Sequence, residues 1–271
     1  MRIGVSFIGA KPTGVVTRER MTEDASLAES IGFDSLWFFD ALGRGMMLPD
    51  PLIALTVAAL VTEHIEVGTC ILQVPLRRPA ELAQRVLTAQ AATDGRFAFG
   101  VGAGSTRTDF TLTGVDFASR MQAMDESIQT MRKLWRGEQI NGVSLHPPAN
   151  VRGGPPLLIG SWSGAQWIPR AAREFDGWIA SGARSSVSAL HSGIEVFRRE
   201  GGKRAIVTNI PCHLNAASEP LTDDGPFHVR CGESEGRERM ARLAELGYDD
   251  AVFMVPDRDP KHLQRLRDLV T

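Results

Sequence analysis

The sequence predicts a single α/β domain, a (β/α)8 TIM barrel spanning residues 1–271. Short runs rich in β-branched and aromatic residues alternate with amphipathic helical stretches, and about eight such pairs can be marked along the chain. Strand–helix alternation implies a parallel sheet, because parallel neighbours need crossovers. Eight units in 271 residues favour closure into a barrel over an open doubly wound sheet, the alternative architecture.

The elements follow in order. Residues 2–8 read as the first strand, and a helix over 19–31 places Leu27, Ala28 and Ile31 on one face before Gly32 ends it. Residues 34–39 form the second strand. Asp50 caps a helix with Pro51 at its first position, running to Val61. Residues 65–72 form the third strand, and Pro79 opens a helix to about Ala92. The Asp94-Gly95 turn leads into the fourth strand at 96–101, and a helix covers about 120–136. Later strands are read at 156–160, 177–181, 205–211 and 251–255, with helices at about 164–174, 186–200, 233–246 and 260–270. Two insertions stand out: a polar, glycine-containing loop over 102–119 after strand four, and a Gly/Pro-rich stretch over 138–154 before strand five, with a short hairpin. Residues 215–232 are the least regular, a mobile loop or part of a lid.

Composition narrows the function classes. Hydrophobic residues make up 43% and charged residues 23%, enough to bury a full core. The net charge of −2 argues against nucleic acid as a main partner, which would need a basic footprint. The longest apolar stretch, 51–61, is too short to span a bilayer. The opening MRIGVSFIGA lacks the apolar core and cleavage site of a secretion signal. Cys70, Cys212 and Cys231 are far apart and make no CxxC, which fits a reducing cytoplasm and argues against disulfides or zinc.

A barrel of this type places its active site at the C-terminal strand ends. Those ends are Phe7-Ile8-Gly9, Asp40-Ala41, Cys70-Ile71, Gly102-Ala103-Gly104, Gly160 to Gly164, Ser181-Gly182, Asn209 and Val255-Pro256. They are glycine-rich and aromatic, and poor in His, Glu and Lys. A metal-dependent hydrolase would show paired His or carboxylates here, and a Schiff-base aldolase a lysine inside the barrel. Of the four lysines only Lys11 lies beside a top-face loop. A site without obvious acid, base or metal points to a cofactor that carries the reaction.

Two segments suit a flat anionic cofactor. The first is Gly100-Val-Gly-Ala-Gly104, where Gly102 and Gly104 allow close backbone approach; a plain tight turn is the alternative. The second is Gly160-Ser161-Trp162-Ser163-Gly164 at a helix start, where N–H groups and two hydroxyls suit a phosphate, with simple N-capping the alternative.

Four segments resemble the luciferase-like oxidoreductases. They are Asp50-Pro51-Leu52 with Ile65-Glu-Val-Gly-Thr69; Pro75-Leu-Arg-Arg-Pro79 with Glu81-Leu-Ala-Gln84; Gly95 to Gly104 with Gly114, Arg120, Glu126-Ser127 and Leu134-Trp135-Arg-Gly137; and Pro156 to Gly160 with Ala171-Ala172 and Asp176-Gly-Trp178. They cover about half the chain in matching order and spacing. The resemblance implies reduced FMN or the deazaflavin F420 in the barrel mouth, with a slight lean to F420. It implies a non-prolyl cis peptide at the end of strand three, where Cys70-Ile71 stands, backing the ring. The alternative for Cys70 is a small buried strand residue; a reactive thiol is disfavoured.

Further site expectations are weaker. Asp40 is the candidate for proton transfer or a hydrogen bond to the ring, with capping of the next turn as its alternative. Deazaflavin-dependent relatives often have Asp-His there; this chain has Asp40-Ala41. Arg107 is a candidate phosphate contact, Arg77 and Arg78 are open, and Trp162 and Ser181 are placed at the cofactor. Trp37 is expected to pack in the barrel wall. The favoured function is an F420-dependent hydride transferase or an FMNH2-dependent monooxygenase acting on a small organic substrate, with homodimers plausible. Two alternatives are a cofactor-binding flavoprotein with little activity and an unrelated phosphate-binding barrel isomerase or aldolase.

Overall fold

A computed structural model of the chain describes residues 1–7, 16–162, 166–214 and 217–270. Its strands are β1 (Arg2–Phe7), β2 (Ser35–Phe38), β3 (Glu66–Thr69), β4 (Leu72–Gln73), β5 (Phe97–Gly102), β6 (Leu157–Gly160), β7 (Gly177–Ser181), β8 (Arg204–Pro211) and β9 (Asp250–Val255). All pair in parallel, in the order β3-β2-β1-β9-β8-β7-β6-β5-β4. Both β3 and β4 pair with β5, so these nine segments fill eight wall positions and the sheet closes on itself. The strand expected over 65–72 is thus broken at Cys70-Ile71, where the peptide bond is cis.

The helices are α1 (Arg18–Ile31), α2 (Pro51–Leu60), α3 (Pro79–Ala92), α4 (Arg107–Thr113), α5 (Arg120–Trp135), α6 (Trp167–Glu174), α7 (Val187–Arg199), α8 (Glu233–Glu245) and α9 (Pro260–Arg267). Local chemistry sets their ends. The Asp50 carboxylate accepts from the N–H groups of Leu52 and Ile53, with Pro51 in the first turn. The Ser186 hydroxyl accepts from Ala189 N–H. Gly32, at φ 86°, takes the left-handed conformation that closes α1. The loop expected over 102–119 contains a helix, α4, because Phe110 buries against Phe117 with ring centroids 5.1 Å apart. The hairpin expected in 138–154 is present as an antiparallel bridge between Ile140 and Val143.

Two apolar layers result. Outward-facing strand residues such as Ile3, Val5, Leu36, Phe99 and Val207 pack beneath the helices. Inward-facing Trp37, Cys70, Ala98, Leu158, Ile179, Ile206 and Val252 fill the lumen. Trp37 therefore lies inside the barrel and not in its wall. Period-two alternation along β2 turns it inward, and Gly68 leaves the space, since a Cβ there would come 2.5 Å from the indole. The Trp37 indole N–H donates to Ser35 Oγ at 2.8 Å.

The N-terminal end of the barrel is closed by charge. Arg204 donates to Asp250 at 2.9 and 2.8 Å and to Glu66 at 2.7 and 3.1 Å, and Arg2 reaches both carboxylates at 3.4 Å. Burial works against the Arg204 guanidinium, but the two carboxylates outweigh it and push its pKa up. That end is a plug, and function must lie at the other.

Candidate active site

At the C-terminal mouth the cis Cys70-Ile71 bond carries the Ile71 side chain across the ends of β5 and β6. A Cβ on Gly102 would meet Ile71 Cδ1 at 2.8 Å, and one on Gly160 would meet Ile71 Cγ2 at 2.6 Å. The glycines thus make room for Ile71 and leave an apolar platform beside Cys70. Gly104, at φ 77°, leaves space for Gln73, whose Oε1 would lie 2.4 Å from a Cβ there. Burial pushes the Cys70 thiol far up, so it is no thiolate nucleophile.

Behind this platform runs a buried ionic network. Asp40 is 6% exposed and accepts from Arg77 at 2.6 and 3.0 Å and from the Gln73 backbone N–H at 2.8 Å. Both of its oxygens have partners. Burial pulls the Arg77 guanidinium down, but Asp40 and Asp50 outweigh it and hold its pKa up. Asp40 thus ties the end of β2 to β4 and does not cap its own next turn. Its partners in this geometry, Arg77 and the Gln73 N–H, hold both oxygens that proton transfer or a hydrogen bond to a ring would use. Asp109 on α4 is fully buried and accepts from Arg44 at 2.8 Å, Gln73 Nε2 at 2.9 Å and Gly43 N–H at 2.9 Å. Desolvation raises its pKa, but these donors more than reverse that and leave it lowered.

The opposite rim is built from β6, β7 and β8. Ser161 spends its N–H on Ile179 O and its carbonyl on the Trp178 indole. Trp162 is 38% exposed, with the Arg184 guanidinium 5.7 Å from its ring centroid. Ser185 Oγ donates to the Trp162 carbonyl at 3.4 Å. Ser181 Oγ accepts from Asn209 Nδ2 at 3.3 Å, and Asn209 holds φ 53°. Ser163 lies outside the described residues, as does Lys11. Arg107 stands apart from this rim, with its guanidinium 4.4 Å from the Phe117 ring centroid.

Thus Cys70, Ile71, Gly102 and Gly160 come together as a platform, and Ser161, Trp162 and Ser181 as a polar rim. Asp40 and Gly104 stand behind with Gln73. Sequence reasoning passed over Ser6, Gln73, Asp109 and Arg184. Ser6 and Gln73 fall under the strand-end rule with the observed strand bounds; Asp109 gives no signal in a polar, glycine-containing stretch that reads as loop.

Buried polar atoms test the fit of a ligand. Among the described residues, the unpartnered buried side-chain atoms on barrel strands are Ser6 Oγ, Gln73 Oε1 and Asn209 Oδ1, and all three lie toward the mouth. Buried polar atoms without partners are costly, so a mouth that gathers them fits a polar ligand. An apolar platform beside hydroxyls and an arginine fits a flat ring with an anionic tail.

A closed parallel barrel with these features at its C-terminal mouth has the layout of a barrel enzyme. The luciferase-like monooxygenase family model matches residues 1–250, and the chain belongs to that family. An uncharacterised protein of Mycobacterium tuberculosis is 30% identical over 272 residues, covering 93% of this chain and 87% of that protein. An F420-dependent glucose-6-phosphate dehydrogenase of Amycolatopsis mediterranei is 30% identical over 129 residues, 45% of this chain and 39% of that protein. The FMN complex of the oxygenating constituent of 3,6-diketocamphane monooxygenase from Pseudomonas putida superposes with a TM-score of 0.80 at 17% identity. That match covers 98% of this chain and 96% of that one, and it speaks to the fold alone. Family membership overturns the reading as an unrelated sugar-phosphate isomerase or aldolase. No helix of the described residues is long and apolar enough to cross a membrane.

Proposed function

We propose that this protein is a flavin- or deazaflavin-dependent oxidoreductase of the luciferase-like family acting on a small organic substrate. The observation that carries it is the mouth itself: the Ile71 platform beside the Ser161, Ser181 and Arg184 rim. Ile71 would back the ring, and Ser181, Ser161 and Arg184 would hold its phosphate tail. F420, the first candidate, supplies hydride transfer when bound, and reduced FMN, the second, supplies oxygen activation. The Amycolatopsis relative supports F420. One observation favours FMN: Asp40 and Asp109 are both ion-paired, so neither is free to take the proton that alcohol oxidation releases. Under either cofactor the chain's own residues orient the ring and exclude water.

Titration of the protein with F420, and separately with oxidised and reduced FMN, tests this by cofactor fluorescence or absorbance. Tight binding of one names the chemistry; binding of neither sinks the reading. Arg184→Ala is expected to weaken the bound cofactor about tenfold with unchanged thermal stability, because Arg184 is exposed. Three free, buried cysteines support a reducing cytoplasm. Ile53 and Leu60, 59% and 71% exposed on α2, support a homodimer.

A further inference from the structure

Building on the flavin or deazaflavin reading, we infer that the cavity over the tops of β1 and β2 is the substrate pocket, and that it takes an uncharged, largely apolar molecule carrying one hydrogen-bonding oxygen. The cavity holds about 450 Å³ and opens between α1, the 46–49 loop and Arg258. That space suits a small organic molecule.

Its position connects it to the platform. Trp37 lines the cavity and belongs to the lumen cluster that contains Cys70, and Phe39, also in the lining, packs against that cluster as Ile71 does. The cavity and the platform thus border one apolar cluster.

Its chemistry selects the molecule. The walls are Phe7, Phe38, Phe39, Met46, Met47 and Leu48, aromatic and thioether surface that adapts to varied apolar shapes. Inside that lining sits Ser6 Oγ, on a residue only 1% exposed and without a hydrogen-bond partner among the described residues. A carbonyl or hydroxyl oxygen satisfies it.

Charge excludes the anionic alternatives. The ionisable lining residues described are Glu19, Glu23, Asp24, Arg20 and Arg258, three carboxylates against two guanidiniums. Asp24 engages both arginines: Arg258 donates to it at 2.7 and 2.9 Å, and Arg20 Nε lies 3.6 Å away. Arg258 also lies 5.3 Å from the Phe7 ring centroid. Among the described lining residues no cation is left for a phosphate or carboxylate, and the surplus charge is negative. A sugar phosphate does not fit this pocket.

The probe is prodan, a neutral naphthyl ketone whose emission moves to the blue in apolar surroundings and to the red when its carbonyl accepts a hydrogen bond. Wild-type protein should bind it saturably with blue-shifted emission. Cyclohexyl phenyl ketone should displace it, and glucose 6-phosphate should not. Ser6→Ala should weaken binding about fivefold and move the bound emission further to the blue. Met47 is 74% exposed, so Met47→Glu should leave folding intact and weaken binding about tenfold. Absence of blue-shifted binding, displacement by glucose 6-phosphate, or unchanged binding in both variants overturns the inference. Cofactor titration of the same preparation separates the two proposals. A bound cofactor without prodan binding removes only the pocket assignment. Prodan binding without either cofactor removes the cofactor reading and leaves the ligand class standing.

Discussion

The two ends of the barrel handle buried polarity in opposite ways. At the N-terminal end, Arg204 sits between Asp250 and Glu66, with Arg2 alongside, and the charges close on one another. At the mouth, the ion pairs Asp40–Arg77 and Asp109–Arg44 are set back from the lumen, while Ser6, Gln73 and Asn209 each keep a buried polar atom unpartnered. A paired end resists change; an unpaired end invites a ligand. Function therefore belongs to the mouth on physical grounds alone, because unsatisfied buried polarity persists only where something else repays it.

The comparison can be broken most directly at the bottom. Arg204→Met leaves the fully buried Asp250 with only Arg2, at 3.4 Å and 40% exposed, and is expected to cost about 3 kcal/mol in urea unfolding. Cofactor affinity should stay unchanged in whatever fraction remains folded. A small stability loss would mean that the plug is ornamental.

At the mouth, Asp40→Asn is expected to cost about 2 kcal/mol, less than the bottom mutation because Arg77 keeps Asp50 at 3.6 Å. A positioning residue moves stability and cofactor affinity together. Were Asp40 a free proton carrier, stability would hold and one limb of the pH–rate profile would disappear.

The smallest effect sharpens the comparison through pH. Asp109 has a lowered pKa, so its ion pair contributes stability that is present above its ordinary value of 3.8 and is lost as pH falls through its lower folded value. Asp109→Asn should cost about 1.5 kcal/mol at neutral pH. The gap to wild type should begin to narrow as pH falls below 3.8 in thermal melts and go on narrowing with further acidification. A gap that stays constant across that acid range would show that Asp109 acts through packing alone.

Much of the fold was legible because it is local. Pro79 opens α3 and the helix ends at Ala92, the bounds that its apolar spacing predicts. The span 177–181 matches β7, since a short buried run between Gly177 and Gly182 leaves little choice. What failed was also local in origin. The loop over 102–119 hid α4, whose burial comes from Phe110 meeting Phe117 and Asp109 meeting Arg44, partners that periodicity in seven residues does not reveal. A strand aromatic packs well on either face, so the sequence leaves Trp37 open to the wall; the register of β2 turns it inward and the space above Gly68 accommodates it.

The site was legible in outline and not in wiring. Strand-end position marked Asp40, Cys70, Gly102, Gly160 and Ser181. It did not show that Gly102 and Gly160 shelter Ile71, or that Asp40 is held by an arginine 37 residues away.

The chain alone carries the alternation of strands and helices, the capped helix start at Asp50, the weak net charge and the family. These follow from near neighbours and from composition, which are fully present in the chain. Only the tertiary structure decided which charges pair, which polar atoms stay unpartnered and where the 450 Å³ cavity lies. Barrel closure brings together residues tens to hundreds of positions apart, such as Asp24 with Arg258, and the energy of such pairs depends on distance and burial that no local pattern encodes.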